Sequence, residues 1–231
     1  MNSSAPLSVV IPTLDAALSL PATLAAVEAA RGSGLLREIV VADGGSADAT
    51  VAIAEAAGAR VLRAPRGRGQ QLAAGASAAT GEWLCFLHAD TRPEARWCDA
   101  VQRFITSPEN AERAGYFALR FDDNSTAARR LERMAAWRAR AWGLPYGDQG
   151  LVIAKRFYVE LGGYPLVPLM EDVALVRRIG KRHLVALDAA ALTSAARYRR
   201  DGYLRRSLRN LFCLSLYFLG VPPGAIRRVY G

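Results

Sequence analysis

Residues 38–46 read Glu-Ile-Val-Val-Ala-Asp-Gly-Gly-Ser: a short apolar run, an acid, two glycines and a serine. A continuous apolar stretch of this length, bounded by turn residues, is the pattern of a buried strand. The same pattern recurs on both sides. Upstream, Leu-Ser-Val-Val-Ile-Pro at 7–12 is followed by helical periodicity over 18–30. Downstream come a helix over 47–57, a strand over 59–63, a helix over 70–79 and a strand over 83–87. Strands alternating with helices through short connectors predict βαβ units, hence an α/β fold with a mostly parallel central sheet flanked by helices. In such sheets ligands sit beyond the carboxyl ends of the strands. That rule selects Pro12-Thr-Leu-Asp15, Asp43-Gly-Gly-Ser46 and His88-Ala-Asp-Thr91.

Beyond Asp90 the rhythm becomes irregular. A helix is expected over 93–105, a strand over 116–121 and an arginine-rich helix over 127–142. A loop over 144–150 leads to a strand over 151–154, then a helix over 171–179, a strand over 183–187 and a last helix over 203–219. With no internal repeat and no long linker, residues 1–231 read as one domain, and 203–231 as its basic, apolar C-terminal segment.

The chain has 231 residues, 52% of them hydrophobic and 22% charged, which excludes a disordered tail or a fibrous repeat. Thirty Lys+Arg against 21 Asp+Glu give +9, and only Lys155 and Lys181 are lysines. Such a surface favours anionic partners. Cys85, Cys98 and Cys213 form neither a close pair nor a metal spacing, as expected in a reducing compartment. Residues 1–10 lack the positive start of a secretory leader. The apolar run Leu211–Val221 would rise about 16 Å as a helix, short of a hydrocarbon core of about 30 Å. The expectation is a cytoplasmic protein, either free or peripheral at the inner face of the membrane. Arg205, Arg206 and Arg209 precede that run, and Arg227 and Arg228 follow it. This arrangement suits an interfacial helix on anionic lipid and equally a core helix with solvated flanks. The arginines of 127–142 read as a solvated face.

Several residues carry chemistry. Asp43 at a strand end can accept hydrogen bonds from a ribose or base, and Gly44-Gly45 lets backbone approach a ligand. The same residues equally make an ordinary turn capped by Ser46 or Asp48. Asp90 can hold Mg²⁺ or Mn²⁺ against a diphosphate, because hard cations prefer oxygen and phosphates complete the shell. His88, two residues earlier, points to the same side and is either a second ligand, suited to Mn²⁺, or bonded to backbone. Glu171-Asp172 opens a helix, as a dipole complement or as a general base.

The ordered set VIPTLD (10–15), VADGGSADAT (41–50), FLHADT (86–91), PYGDQG (145–150) and PLMEDV (168–173) resembles the family 2 glycosyltransferases of the GT-A fold, over residues 7–205. It is most similar to a small single-domain subgroup with HADT and GDQG motifs. The resemblance implies a nucleotide-sugar donor, UDP-sugar favoured, with Pro12, Thr13, Leu14, Asp43 and Gly44 at the nucleoside. It places Asp90 on a divalent cation beside Ala89, and Asp172 as the base, with Glu171 its motif partner. Asp148 and Gln149 are implied near sugar or acceptor, and Arg68, Gln71 and Arg197 around the diphosphate. The acceptor is expected to be a lipid or a small-molecule hydroxyl. Departures are His88 in place of the first metal-motif acid, Ala16 in place of a glutamate, and Ala73 in place of an asparagine. Residues 194–200 lack the QxxRW pattern of processive enzymes, which implies single transfer, and one base with a direct displacement implies inversion.

Three alternatives stand beside this reading. A nucleotidyltransferase would carry a Gly/Arg/Lys-rich loop after the first strand, where Pro12-Thr-Leu-Asp-Ala stands. A nucleic-acid binder would interleave aromatics with its basic patches, and this chain does not, so no nucleic acid is expected. A degenerate scaffold without transfer activity is motivated by Ala16, Ala73 and His88.

Overall fold

The structure, a computed structural model, describes residues 5–230. The first four residues, on which part of the leader reading rests, lie outside that range. The amino-terminal half runs β1 (Leu7–Thr13), α1 (Leu20–Glu28), β2 (Leu36–Asp43), α2 (Thr50–Ala56), β3 (Arg60–Arg63), α3 (Arg68–Ala78) and β4 (Trp83–Phe86). Then follow β5 (Thr91–Pro93), α4 (Trp97–Thr106), β6 (Ala114–Phe121), α5 (Thr126–Trp142), β7 (Leu151–Ala154) and α6 (Lys155–Glu160). The last quarter holds α7 (Glu171–Ile179), β8 (Leu184–Thr193), α8 (Ala196–Asp201), α9 (Tyr203–Phe218) and α10 (Pro223–Tyr230).

One sheet collects all eight strands in the order β3-β2-β1-β4-β7-β6-β8-β5. Strands β3, β2, β1 and β4 are mutually parallel, β7 is antiparallel to both neighbours, and β6 is parallel to β8. The sheet is therefore mostly parallel. Every residue of β1 is buried, which is why its sequence is apolar without alternation. Its side chains divide between the two faces. Leu7, Val9 and Ile11 pack on Leu20, Leu24 and Val27 of α1, while Val10 meets Leu72 and Ala76 of α3 on the other side.

The second half departs from expectation in places with physical causes. Helix α4 begins at Trp97 rather than at 93. Pro93 instead ends the edge strand β5, where a missing N–H costs no ladder bond. Strand β8 runs to Thr193, not 187, because pairing with β6 and β5 overrides the weak strand preference of Ala189-Ala-Ala191. The short helices α6, α8 and α10 were not foreseen. On α5, Arg130, Arg133 and Arg140 are exposed as expected, but Arg129 and Arg138 turn inward. Buried Glu132 accepts from Arg129 at 2.7 Å, from Arg120 at 3.0 Å and from the Phe121 amide at 2.8 Å.

Candidate active site

The carboxyl ends of β1 and β2 are knitted together before any ligand is considered. Asp43, only 1% exposed, accepts from Thr13 Oγ1 at 3.0 Å and from the Gly45 and Ser46 amides at 2.9 Å each. Burial opposes its ionisation, but the bonds from Ser46, Gly45 and Thr13 outweigh it and hold the carboxyl below its ordinary range. Gln71, also buried, donates Nε2 to the carbonyls of Thr13 and Ala42 and packs against Gly44. Asp48 Oδ1 accepts from the Thr50 amide at 2.9 Å, but the residue capping α2 is Ala49, not Ser46 or Asp48 as expected, because the Ser46 hydroxyl is bonded to Asp43 instead. These residues present the β1 end to a cleft of about 430 Å³ lined by Pro12, Thr13, Leu14, Arg68, Gln71, Ala89, Asp90 and Arg197. Asp43 and Gly44 do not line that cleft; they form its scaffold.

A second cavity, of about 140 Å³, opens on the other side of Arg68, His88, Asp90 and Arg197, which line both spaces. Its further walls include Tyr146, Asp148, Asp172, Thr193 and Asn210. Arg68, at the start of α3, places Nε 3.1 Å from Glu171 Oε1 and Nη1 3.4 Å from His88 Nε2. Burial together with the cations of Arg68 and Arg197 holds the His88 imidazole well below its usual pKa, so it is neutral and can accept from Arg68. The expected role of His88 as second metal ligand thus meets a competing partner at Nε2.

Glu171 and Asp172 diverge, as adjacent residues on a helix must. Glu171 is buried against Arg68, and burial raises its carboxyl pKa, with Arg68 opposing and Asp172 adding. Asp172 lines the cavity and accepts from the Gly147 amide at 2.8 Å through Oδ2 and from the Val173 amide through Oδ1. Both residues line the cavity, but Glu171 Oε1 is paired with Arg68 while the Asp172 carboxylate is held by backbone amides alone. Met170 enters α7 in the left-handed region, φ 65°, a costly conformation for a residue with a side chain.

Asp148 shares the cavity with Asp172 and Asp90. Its Oδ1 is buried without a partner, and burial pushes its carboxyl up to about 6, with Arg138 opposing and the charges of Asp172 and Asp90 adding. Gln149 points away from the cavity. It accepts from Arg138 and the Tyr146 amide, both at 3.3 Å, and donates to the Phe117 carbonyl at 3.1 Å. The expected sugar contact at Gln149 is therefore replaced by a clamp on the 145–150 loop. Among the described residues, no three His, Cys, Asp or Glu groups converge into a ready-made metal cage. A cation bound together with a diphosphate needs only one or two carboxylates. Unpartnered Asp148 Oδ1, with the carboxylates of Asp90 and Asp172 in the same cavity, fits such a cation.

Sequence reasoning missed Arg138, whose guanidinium carbon lies 3.3 Å from the Tyr146 ring centroid, and Arg227 of α10, which lines the larger cleft. The apolar Ala135 and Ala139 around Arg138 signal an inward face; no comparable signal marks Arg227.

The family model for glycosyl transferase family 2 matches residues 8–161, about two-thirds of the chain. The chain belongs to this family. The match covers β1 through α6, and so includes Thr13, Asp43, Asp90 and Asp148; Asp172 and Arg197 lie beyond it. A search of curated proteins finds no match. Among solved structures, glucosyl-3-phosphoglycerate synthase from Mycobacterium tuberculosis, crystallised with Mn²⁺, UDP and glucosyl-3-phosphoglycerate, superposes with a TM-score of 0.63 at 19% identity, covering 94% of this chain and 81% of that one. The same synthase with Mn²⁺ and UDP-glucose gives 0.62 at 19%, covering 94% and 80%. S. aureus TarS 1–349 gives 0.64 at 14% identity, covering 97% and 69%. The likeness to these structures is one of fold, the GT-A architecture, and the family match makes this enzyme a family 2 glycosyltransferase.

Proposed function

We propose that this glycosyltransferase moves one sugar from a UDP-sugar to an acceptor hydroxyl with inversion, using Asp172 as base. The observation that carries the reading is the common wall: Arg68, Asp90 and Arg197 stand between a cleft that fits a nucleotide and a cavity that Asp172 faces. The nucleoside lies against Pro12-Thr13-Leu14. UDP is chosen because the synthase structures hold UDP or UDP-glucose. Arg68, kept in place by Glu171, and Arg197 pair with the diphosphate, where guanidinium geometry matches phosphate oxygens. Asp90 and Asp148 would hold Mn²⁺ or Mg²⁺, whose chemistry is to neutralise charge growing on the leaving diphosphate.

The acceptor hydroxyl enters the smaller cavity and gives its proton to Asp172. Its oxygen forms the new bond to the anomeric carbon as the carbon–oxygen bond to the diphosphate breaks. One displacement on one face inverts the configuration. With no QxxRW pattern in 194–200, the product leaves after one transfer.

The test is UDP-sugar binding followed by thermal shift with and without Mn²⁺, alongside transfer to a panel of acceptors. Asp172→Asn is expected to lose about 10²–10⁴-fold in transfer while keeping the donor-induced shift. Asp90→Ala is expected to lose the Mn²⁺-dependent part of that shift. Near-normal transfer by a folded Asp172→Asn protein would remove the base assignment.

A further inference from the structure

Helix α9 has two faces of opposite character. Arg206, Asn210 and Leu214 line the smaller cavity, and Cys213 is buried beneath with Leu169 and Ile226 of α10. On the outer side Leu204, Leu208, Leu211 and Phe212, with Leu219 directly past the helix end, are between 54% and 80% exposed. Their spacing of three, four and seven residues places them on one face, about a third of the helix circumference wide. A contiguous exposed apolar stripe marks an interaction surface, unlike singly scattered leucines.

The charge around the stripe identifies its occupant. Residues 196–231 contain eight arginines and a single acid, Asp201, already bound to Arg200, Arg206 and Arg209. Arg205 and Arg228 are exposed on α9 and α10. Two copies of this chain meeting face to face would bring like charges together. No helix among the described residues is long and apolar enough to cross a membrane, and the stripe is one-sided. That combination is the pattern of a helix lying in the plane of a bilayer surface.

We infer that the outer face of α9, with Arg205 and with Arg228 of α10, docks on an anionic lipid bilayer. The leucines enter the headgroup–acyl boundary while the arginines meet lipid phosphate. The cavity behind α9 then lies within a helix diameter of the membrane. This surface is separate from the transfer chemistry and stands or falls independently of it.

Flotation of the full chain with phosphatidylcholine vesicles, with and without phosphatidylglycerol, tests the inference. The protein is expected to rise with the anionic vesicles only. Leu208→Ser/Leu211→Ser is expected to reduce recovery by roughly tenfold, since two half-exposed leucines lose their apolar burial in lipid. Arg205→Glu should weaken binding and flatten its salt dependence. Both changes lie on exposed positions, so an unchanged thermal midpoint and unchanged donor-induced shift are expected. Absence of flotation with anionic vesicles overturns the inference, as does undiminished flotation of the folded double variant. A concentration-dependent dimer abolished by the same leucine substitutions would assign the stripe to a second copy instead.

Discussion

Asp148 shows how one carboxyl couples the site to the stability of the fold. Its folded pKa of about 6 stands above the ordinary 3.8, mainly through burial. Between those values the folded chain keeps a proton that the unfolded chain has released. Raising the pH through this window therefore lowers stability, and above about 6 the loss is complete. Asp148→Asn is expected to remove that component: its midpoint should exceed the wild-type value at neutral pH, with the advantage shrinking towards pH of about 4. Thermal melts of both proteins across the window measure the difference; a gap independent of pH would reject the assignment. The same residue scale shows where sequence reading stops. Asp43 and Gln149 were legible as functional acid and amide, yet both fold back on their own loops. A residue type at a strand end does not disclose whether its side chain faces a ligand or the adjacent backbone. Asp90 and Asp172 stand out in the sequence because one follows a predicted strand and the other opens a predicted helix. Arg68 and Arg197 carry no such local mark, since the sequence predicts a later start for α3 and no α8 at all.

At the scale of elements, the loop between α5 and β7 brings the parts of the smaller cavity into register. Gly147 lies so close to its neighbours that an added Cβ would stand 2.7 Å from His88 Nε2 and 3.4 Å from Asp172 Oδ2. Gly147→Ala is expected to cost about 1–3 kcal/mol by overpacking and to lower transfer more than it lowers donor affinity. Comparing the thermal midpoint with kcat and KM checks this; unaltered kcat would show that the loop yields freely. The amino-terminal elements were legible because buried parallel strands and amphipathic helices have distinct periods. Only the start of strand β8 is marked in the sequence, because its alanines carry little preference, and tertiary pairing extends it to Thr193. The helix at Pro93 failed for the opposite reason: a residue that favours helix starts is equally suited to a sheet edge.

Over the whole molecule, the last helix returns to the first strand. Ile226 is buried under α9, and Arg227 beside it lines the same cleft as Pro12 and Thr13. Part of the surplus positive charge, which the sequence left open between lipid and solvent, therefore lines the cleft proposed for the donor. Arg227→Glu is expected to weaken UDP-sugar binding by roughly threefold to tenfold, with the difference shrinking at high salt because the residue is exposed. Calorimetry at two ionic strengths reads this, and equal affinities would return Arg227 to solvent. Such closure between chain ends cannot be seen from local patterns, since nothing within residues 223–230 refers to residues 12–13.

The wall of Arg68, His88, Asp90 and Arg197 has a consequence for inhibition. Because one layer of side chains borders both spaces, a nucleotide tethered to an acceptor fragment can occupy the two at once. The second contact then becomes intramolecular, governed by the length and stiffness of the tether rather than by free concentration. Selectivity would come from the smaller cavity, whose far wall is built by α9, and affinity from the nucleotide.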